Sequence, residues 1–112
     1  MENKLNILWT SSDPEVAHNM VFMYATNAKL NNWFEEVNLI IWGPSAKLVA
    51  NDEGIKERIK LAKHAGVNVE ACIACASNYN VVEELKAQNI TLRGMGVPLT
   101  EIIKSGEKLI TI

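Results

Sequence analysis

Short apolar runs alternate along the chain with longer segments whose apolar residues recur at helical spacing. The runs predict five strands, over 5–10, 36–42, 67–71, 90–93 and 108–112. The segments between them predict helices over 14–30, 45–50, 52–66, 73–85 (interrupted near Asn80) and 99–105. Such alternation indicates parallel strands, because right-handed crossovers pack each helix back on the sheet. We therefore expect a three-layer α/β/α domain with a mainly parallel five-stranded sheet and helices on both faces.

Capping residues support these bounds. Asp13 is a good N-cap, and Pro14 suits the first helical position, where its missing N–H needs no partner. Ser45 and Asp52 are predicted to cap the next two helices. Gly66 stands where a helix end favours a left-handed residue.

The first predicted helix carries two apolar rows. One comprises Val16, Met20 and Met23, and the other comprises Ala17, Val21, Tyr24 and Ala28. A surface helix needs one apolar face. We therefore expect this helix to be sandwiched between the sheet and a further layer.

Length and charge exclude several classes of protein. The 112 residues suffice for one domain, assigned to 1–112. The net charge of −2, with 11 basic residues mixed among 13 acidic ones, argues against a nucleic-acid partner. No apolar run approaches the ~20 residues that span a bilayer. The start, Met1 to Lys4, passes directly into a strand without a signal-peptide core, so we expect no membrane association and a cytoplasmic location.

The two cysteines, Cys72 and Cys75, are the candidate catalytic residues. One pair is too few for a disulfide-stapled secreted scaffold, and in a reducing compartment such a pair is typically reactive or metal-binding. Cys72 follows the third strand, at the sheet edge where ligand sites of open α/β folds gather. Amides and the helix dipole there favour a thiolate. We expect Cys72, facing solvent or a cleft, to be the nucleophile and Cys75 the resolving thiol, the alternative being that both are small buried hydrophobes.

Other motifs carry weaker signals. The same edge should gather Thr10 to Ser12, the 42–45 turn and the 94–96 turn, with Trp42 as a pocket wall. His18 is a candidate proton donor or a solvated histidine, and His64 should complement the dipole of its helix. Neither has the spacing for a zinc site with the thiols, so no metal is expected. Gly94 to Gly96 is too short for a dinucleotide loop, and no cofactor is predicted.

Several segments in order resemble the DsrE/DsrF-like family, which includes the YchN-like proteins and TusD-type sulfur-relay subunits. The resemblance covers essentially the whole chain. It is carried by Ile7 to Thr10, Ile41 to Ser45, Gly66 to Cys72, Gly96 to Glu101, Lys104 to Gly106 and Leu109 to Thr111.

The resemblance implies an α/β/α fold and homo-oligomers, commonly trimers or hexamers. It also implies that a cysteine after the third strand carries sulfur as a persulfide, and Cys72 matches that position. Cys75 is an addition relative to the relay subunits, and Asn80 stands where many relatives have glycine. Donor and acceptor proteins for the sulfur are expected partners.

Three hypotheses follow. The first is a sulfur-handling protein, either a cysteine persulfide carrier or a sulfurtransferase-like relay subunit, with Cys72 accepting the sulfur. The second is a non-enzymatic oligomeric scaffold or small-ligand-binding protein that assembles through its first helix. The third is a thiol-disulfide oxidoreductase, although Ile73 and Ala74 replace the Gly-Pro common between thioredoxin-type cysteines.

Overall fold

The computed structural model describes residues 3–112 and contains a five-stranded, all-parallel sheet with strand order β4-β3-β2-β1-β5. The strands are β1 (Lys4–Trp9), β2 (Glu36–Ile41), β3 (Asn68–Cys72), β4 (Thr91–Arg93) and β5 (Lys108–Thr111). The helices are α1 (Pro14–Val16), a π-helical segment (Ala17–Phe22), α2 (Met23–Leu30), α3 (Ser45–Asn51), α4 (Glu53–Ala65), α5 (Ile73–Asn78), α6 (Val82–Lys86) and α7 (Gly96–Ser105). The predicted three-layer α/β/α class is confirmed. Met1 and Glu2, part of the expectation about the chain's start, lie outside the described residues.

Most predicted helix ends are confirmed. The Asp13 side chain accepts hydrogen bonds from the backbone N–H groups of Glu15 and Val16, and Asp52 accepts one from Ile55. Gly66 ends α4 with φ 106°. Helix α7 begins at Gly96, three residues before the prediction, because Pro98 falls in the first turn, where a missing N–H costs no intrahelical hydrogen bond.

The two faces of the sheet are covered unequally. From β1 to β4, each new strand is added on the same side of the strand before it. Right-handed crossovers therefore place α1 to α6 on one face of the sheet. The connection from β4 to β5 returns across the sheet and places α7 alone on the other face. Ile102 of α7 packs there against Ile40 and Cys72. Within residues 3–112, part of the second face therefore has no helix over it.

The main core lies under α1 to α6. Trp9 and Phe22 are fully buried in it, with ring centroids 5.2 Å apart in an edge-to-face arrangement. Helix α4 buries the predicted row of Ile55, Ile59 and Ala62. Within residues 3–112 no helix is both long and apolar enough to cross a membrane.

The first helix runs without a break from 14 to 30 but contains the π-helical segment, which no sequence pattern predicted. Its buried residues include Ala17, Val21 and Ala28. Met20 and Met23, from the other predicted apolar row, are 41% and 48% exposed. The expected second covering layer is therefore not supplied by the described part of this chain.

Three asparagines form a ladder across the less covered face. Asn6, Asn38 and Asn68 are register partners on β1, β2 and β3. Asn68 donates to Asn38 at 2.9 Å, and Asn38 donates to Asn6 at 3.0 Å. Asn6, almost fully buried, donates to a Glu107 carboxylate oxygen at 3.0 Å and to the Lys108 carbonyl at 3.1 Å. This amide ladder holds a polar surface in place beside the apolar area under α7.

Replacing Asn6 with alanine should raise the pKa of Glu107. The Asn6 amide is the main cause that holds this pKa below its ordinary value of 4.5, and Lys4 lowers it further. A depressed carboxyl pKa contributes stability that is present above the unfolded-state pKa and lost as the pH falls through the folded-state pKa. NMR titration of the Glu107 carboxyl should therefore give a higher midpoint in Asn6→Ala than in the wild type. An unchanged midpoint would contradict the assignment.

Candidate functional site

Cys72 is the last residue of β3, at the carboxyl edge of the sheet as predicted, and precedes α5 directly. Its side chain is in the small apolar cluster between the sheet and α7, and the residue is only 6% exposed. Ile40 and Met95 are buried in the same cluster, and Leu8, Trp42, Cys75 and Ile102 pack against it. The sequence predicted that this thiol faces solvent or a cleft. In the structure it is buried instead, because Met95 and α7 pack over it.

Cys75 lies one helical turn further and is only partly buried. Its thiol lies near the backbone N–H of Gly43 and packs against the cluster that contains Cys72. Burial raises the pKa of Cys75 above its ordinary value of 9.0, the Gly43 amide lowers it, and Cys72 raises it again. The structure therefore brings the two predicted thiols together and keeps Cys75 protonated at neutral pH.

The turn that supplies the Gly43 amide is fixed by Ser45. The Ser45 hydroxyl is fully buried, donates to the Trp9 carbonyl at 2.7 Å and accepts from the Trp42 backbone N–H at 3.1 Å. The predicted N-cap role of Ser45 is wrong, since Pro44 is the N-cap and α3 has no side-chain cap. Gly43 has φ 69°, a left-handed conformation that glycine adopts without strain. Ser45 therefore connects β1 to the turn beside Cys75.

An ion pair stands beside Cys72 on the same face of the sheet. Arg93 is the register partner of Cys72 on β4, and Glu70 lies two residues before Cys72 on β3. The Arg93 guanidinium donates two hydrogen bonds to the Glu70 carboxylate, at 2.9 and 3.1 Å. Sequence reasoning missed this pair, although the alternation of strand side chains places all three residues on one face.

The other predicted edge residues are only partly gathered. Trp42 and the 94–96 turn do reach the thiols, through the apolar cluster. The Thr10 hydroxyl instead donates to the Ile112 carbonyl at 3.0 Å, and His18 accepts from Arg58 at 3.1 Å. His64 lies in the last turn of α4, as predicted. In residues 3–112, no three His, Cys, Asp or Glu side chains are grouped to hold a metal ion.

An open groove of about 790 Å³ lies over the uncovered part of the sheet. Its floor includes Asn6, Asn38, Asn68 and Glu70, and one wall is formed by Pro98, Glu101 and Ile102 of α7. Met95 and Ile40 line its inner end, and both also pack on Cys72. Cys72 is therefore separated from the groove by a single layer of apolar side chains.

The sequence model of the DsrE/DsrF-like family matches residues 4–112, which include both thiols and every strand. The chain belongs to the DsrE/DsrF-like family. The structure of BT1422 from Bacteroides thetaiotaomicron, a conserved protein of unknown function, is 43% identical, with a TM-score of 0.96 over 98% of this chain and 95% of that one. The ychN protein of E. coli shares the fold at 13% identity, with a TM-score of 0.67 and full coverage of both chains. No curated protein matches the chain.

Asn80, the position where the resemblance implies glycine in many relatives, lies in the break between α5 and α6. Asn80 has φ 59°, in the left-handed region that favours glycine. Asparagine tolerates this region better than other side chains. Asn80 is therefore compatible with the backbone turn that separates α5 from α6.

Burial is the largest cause that raises the pKa of Cys75, and Cys72 raises it further, so removing Cys72 should lower this pKa. Thiol alkylation requires the thiolate, so its rate at Cys75 rises with pH through this pKa. We expect the rate–pH curve of Cys72→Ala to shift to lower pH than that of the wild type, followed by mass spectrometry of the Cys75 peptide. Identical curves would show that the two thiols do not interact.

Proposed function

We propose that this DsrE-like protein is a sulfur-handling protein in which Cys72 accepts a sulfane sulfur and holds it as a persulfide. The observation that carries the proposal is the contact between Cys72 and Cys75 at the end of β3. Sulfur moves between proteins by thiol exchange, in which a thiolate attacks the outer sulfur of a persulfide. Membership of the DsrE/DsrF-like family supports this chemistry at the position of Cys72.

In this proposal Cys75 acts as a hydrogen-bond donor to the sulfur at Cys72. Its raised pKa keeps the proton on Cys75 at neutral pH, so its S–H is available to Cys72. A sulfur that receives this hydrogen bond is stabilised as an anion. The apolar cluster around Cys72 excludes water, which protects a persulfide from side reactions.

The raised pKa of Cys75 also favours a sulfur carrier over a thiol-disulfide oxidoreductase. Closing a disulfide requires the Cys75 thiolate to attack the inner sulfur of the Cys72 persulfide, forming Cys72–Cys75 and releasing hydrosulfide. Attack by a thiol depends on its thiolate fraction, which is small for Cys75 at neutral pH. The bound sulfur is then left for an acceptor protein. Disulfide release should become faster as the pH rises towards the raised pKa of Cys75.

A second candidate function is the oligomeric scaffold, favoured by the apolar side chains exposed on and after the first helix. Met20, Met23, Leu30 and Trp33 are 41%, 48%, 60% and 53% exposed. This stripe suits contact with a second copy of the chain. We propose homo-oligomers, trimers or hexamers, assembled through this stripe in either case. The scaffold function differs in needing no reaction at Cys72.

Intact-mass spectrometry separates these functions. Fully reduced protein is treated with a sulfane-sulfur donor, and the mass of one added sulfur atom at Cys72 is expected. A protein that adds no sulfur would favour the scaffold. Rapid formation of a Cys72–Cys75 disulfide, without a persulfide, would favour the oxidoreductase.

A further inference from the structure

We propose that the groove over the uncovered sheet face binds the sulfur-bearing substrate, a small zwitterionic persulfide of the amino-acid type, and that Met95 is the gate between this groove and Cys72. The inference rests on the proposed function and adds to it an entry route and a substrate class. Sulfur would reach Cys72 across the face of the sheet, while Cys75 lies towards the Gly43 turn at the carboxyl edge.

The position of Met95 makes it the gate. It is 1% exposed, packs with Cys72 and Ile40, and also lines the inner end of the groove. Methionine is unbranched and has flexible side-chain torsions, so it can swing aside more easily than a branched residue. Gly94 and Gly96 flank it, and a Cβ added to either would meet no atom within 4 Å. The backbone on either side of Met95 is therefore not confined by side chains packed at these two positions.

The groove presents hydrogen-bonding groups and nearly balanced charge. The amides of Asn38 and Asn68 and the exposed Thr91 offer both donors and acceptors. Its charged residues are three cations and four carboxylates, namely Lys4, Lys63, Arg93, Glu36, Glu70, Glu101 and Glu107. Lys4 pairs with Glu36 and Glu107, and Arg93 pairs with Glu70.

This balance selects among possible ligands. A nucleotide or other polyanion would be repelled by the carboxylates, and a hydrophobic ligand would cover the exposed polar side chains of Asn68 and Thr91 without replacing their contacts with water. A ligand that carries both an ammonium and a carboxylate group finds partners for each. The volume of about 790 Å³ accommodates such a molecule readily.

The transfer step needs no added oxidant or reductant. The Cys72 sulfur attacks the outer sulfur of the persulfide R–S–SH, and a new S–S bond forms on Cys72. The S–S bond of the donor breaks, and the donor leaves as the thiol R–SH, which takes up the proton released by Cys72. One S–S bond replaces another, so oxidation states are conserved overall.

The gate is tested by alkylation of Cys72 with iodoacetamide, read by peptide mapping. Met95→Ala should raise the rate at Cys72 about tenfold over Met95→Leu, which keeps the volume, by lowering the cost of opening. The rate at Cys75 should not change. The double variant Gly94→Ala/Gly96→Ala, which has space for both added methyl groups, should slow Cys72 alkylation relative to the wild type. This comparison tests the gate even if Met95→Ala does not fold. Equal rates in Met95→Ala and Met95→Leu, or in the double variant and the wild type, would overturn the gate.

The groove is tested with cysteine as the binding probe and cysteine persulfide as the donor. Cysteine should shift the NMR signals of the Asn38 and Asn68 side-chain amides, and Asn68→Ala should weaken binding about fivefold, the value of one or two hydrogen bonds. Sulfur uptake from cysteine persulfide should fall in Asn68→Ala, while uptake from inorganic polysulfide should not. Shifts confined to other surfaces, or equal loss with both donors, would overturn the groove assignment.

These measurements separate the inference from the function on which it rests. If wild-type protein takes up no sulfur from either donor, the proposed function fails, while alkylation and cysteine binding still decide the gate and the groove. If sulfur is taken up but Met95→Ala leaves the Cys72 rate at that of Met95→Leu, only the gate fails.

Discussion

Cys72→Ser should abolish sulfur uptake by this protein, whereas Cys75→Ser should retain it. In the proposed mechanism Cys72 forms the new S–S bond, so serine, which cannot form a persulfide, removes the reaction entirely. Cys75 only donates a hydrogen bond to Cys72. Its replacement by serine keeps a donor at the same position. Intact mass after treatment with a sulfane-sulfur donor gives the result directly.

The two variants form a matched pair, since each exchanges one sulfur for one oxygen one helical turn apart. Circular dichroism and thermal unfolding of both provide the control for folding. Sulfur found on Cys75 in the wild type, with Cys72→Ser unaffected, would contradict the assignment and make the more accessible thiol the acceptor. Loss of uptake in both variants would mean that the thiols act only as a pair.

Phe22→Ala should cause the largest loss of stability that we predict for a single substitution. Phe22 is fully buried and packs edge-to-face on Trp9. Truncating a buried phenylalanine to alanine costs about 3 to 5 kcal/mol, from lost burial and the cavity that remains. The total stability of a domain of this kind is only about 5 to 15 kcal/mol. Urea denaturation should therefore show a large drop in the midpoint.

An exposed polar residue of α2 provides the control for this experiment. Asn27 lies five residues after Phe22 and outside the apolar stripe proposed for assembly. Asn27→Ala should change the free energy of unfolding by less than about 1 kcal/mol, since exposed positions contribute little to the core. Equal losses at the two positions would show that the π-helical segment does not direct Phe22 into the core as described.

Much of the fold could be predicted because each element carries a local signal. The Asp13-Pro14 start, the Asp52 cap and Gly66 mark helix ends through local side-chain caps and backbone conformation. The order of strands across the sheet has no such signal, since it depends on how the crossovers pack together. The uneven cover of the two faces, and hence the groove, could not be predicted for this reason.

The site was predicted in position but not in environment. Strand–helix alternation placed Cys72 at the carboxyl end of β3, and the structure confirms that placement. Its burial depends on Met95 and Ile102, which are distant in sequence and reach it only through the return of α7 across the sheet. Ser45 was misassigned because a serine before a helix is typical of an N-cap, while here a longer-range partner, the Trp9 carbonyl, takes its hydroxyl.

The amide ladder also restricts how the central strands can align. Side chains alternate between faces, so a slip of β2 by one residue against β1 would turn Asn38 into the apolar core and bring Leu39 to the wet face. Such a slip would also remove Asn38 as the shared hydrogen-bonding partner of Asn6 and Asn68. Misaligned pairings during folding are thereby penalised, and the sheet is held to a single arrangement.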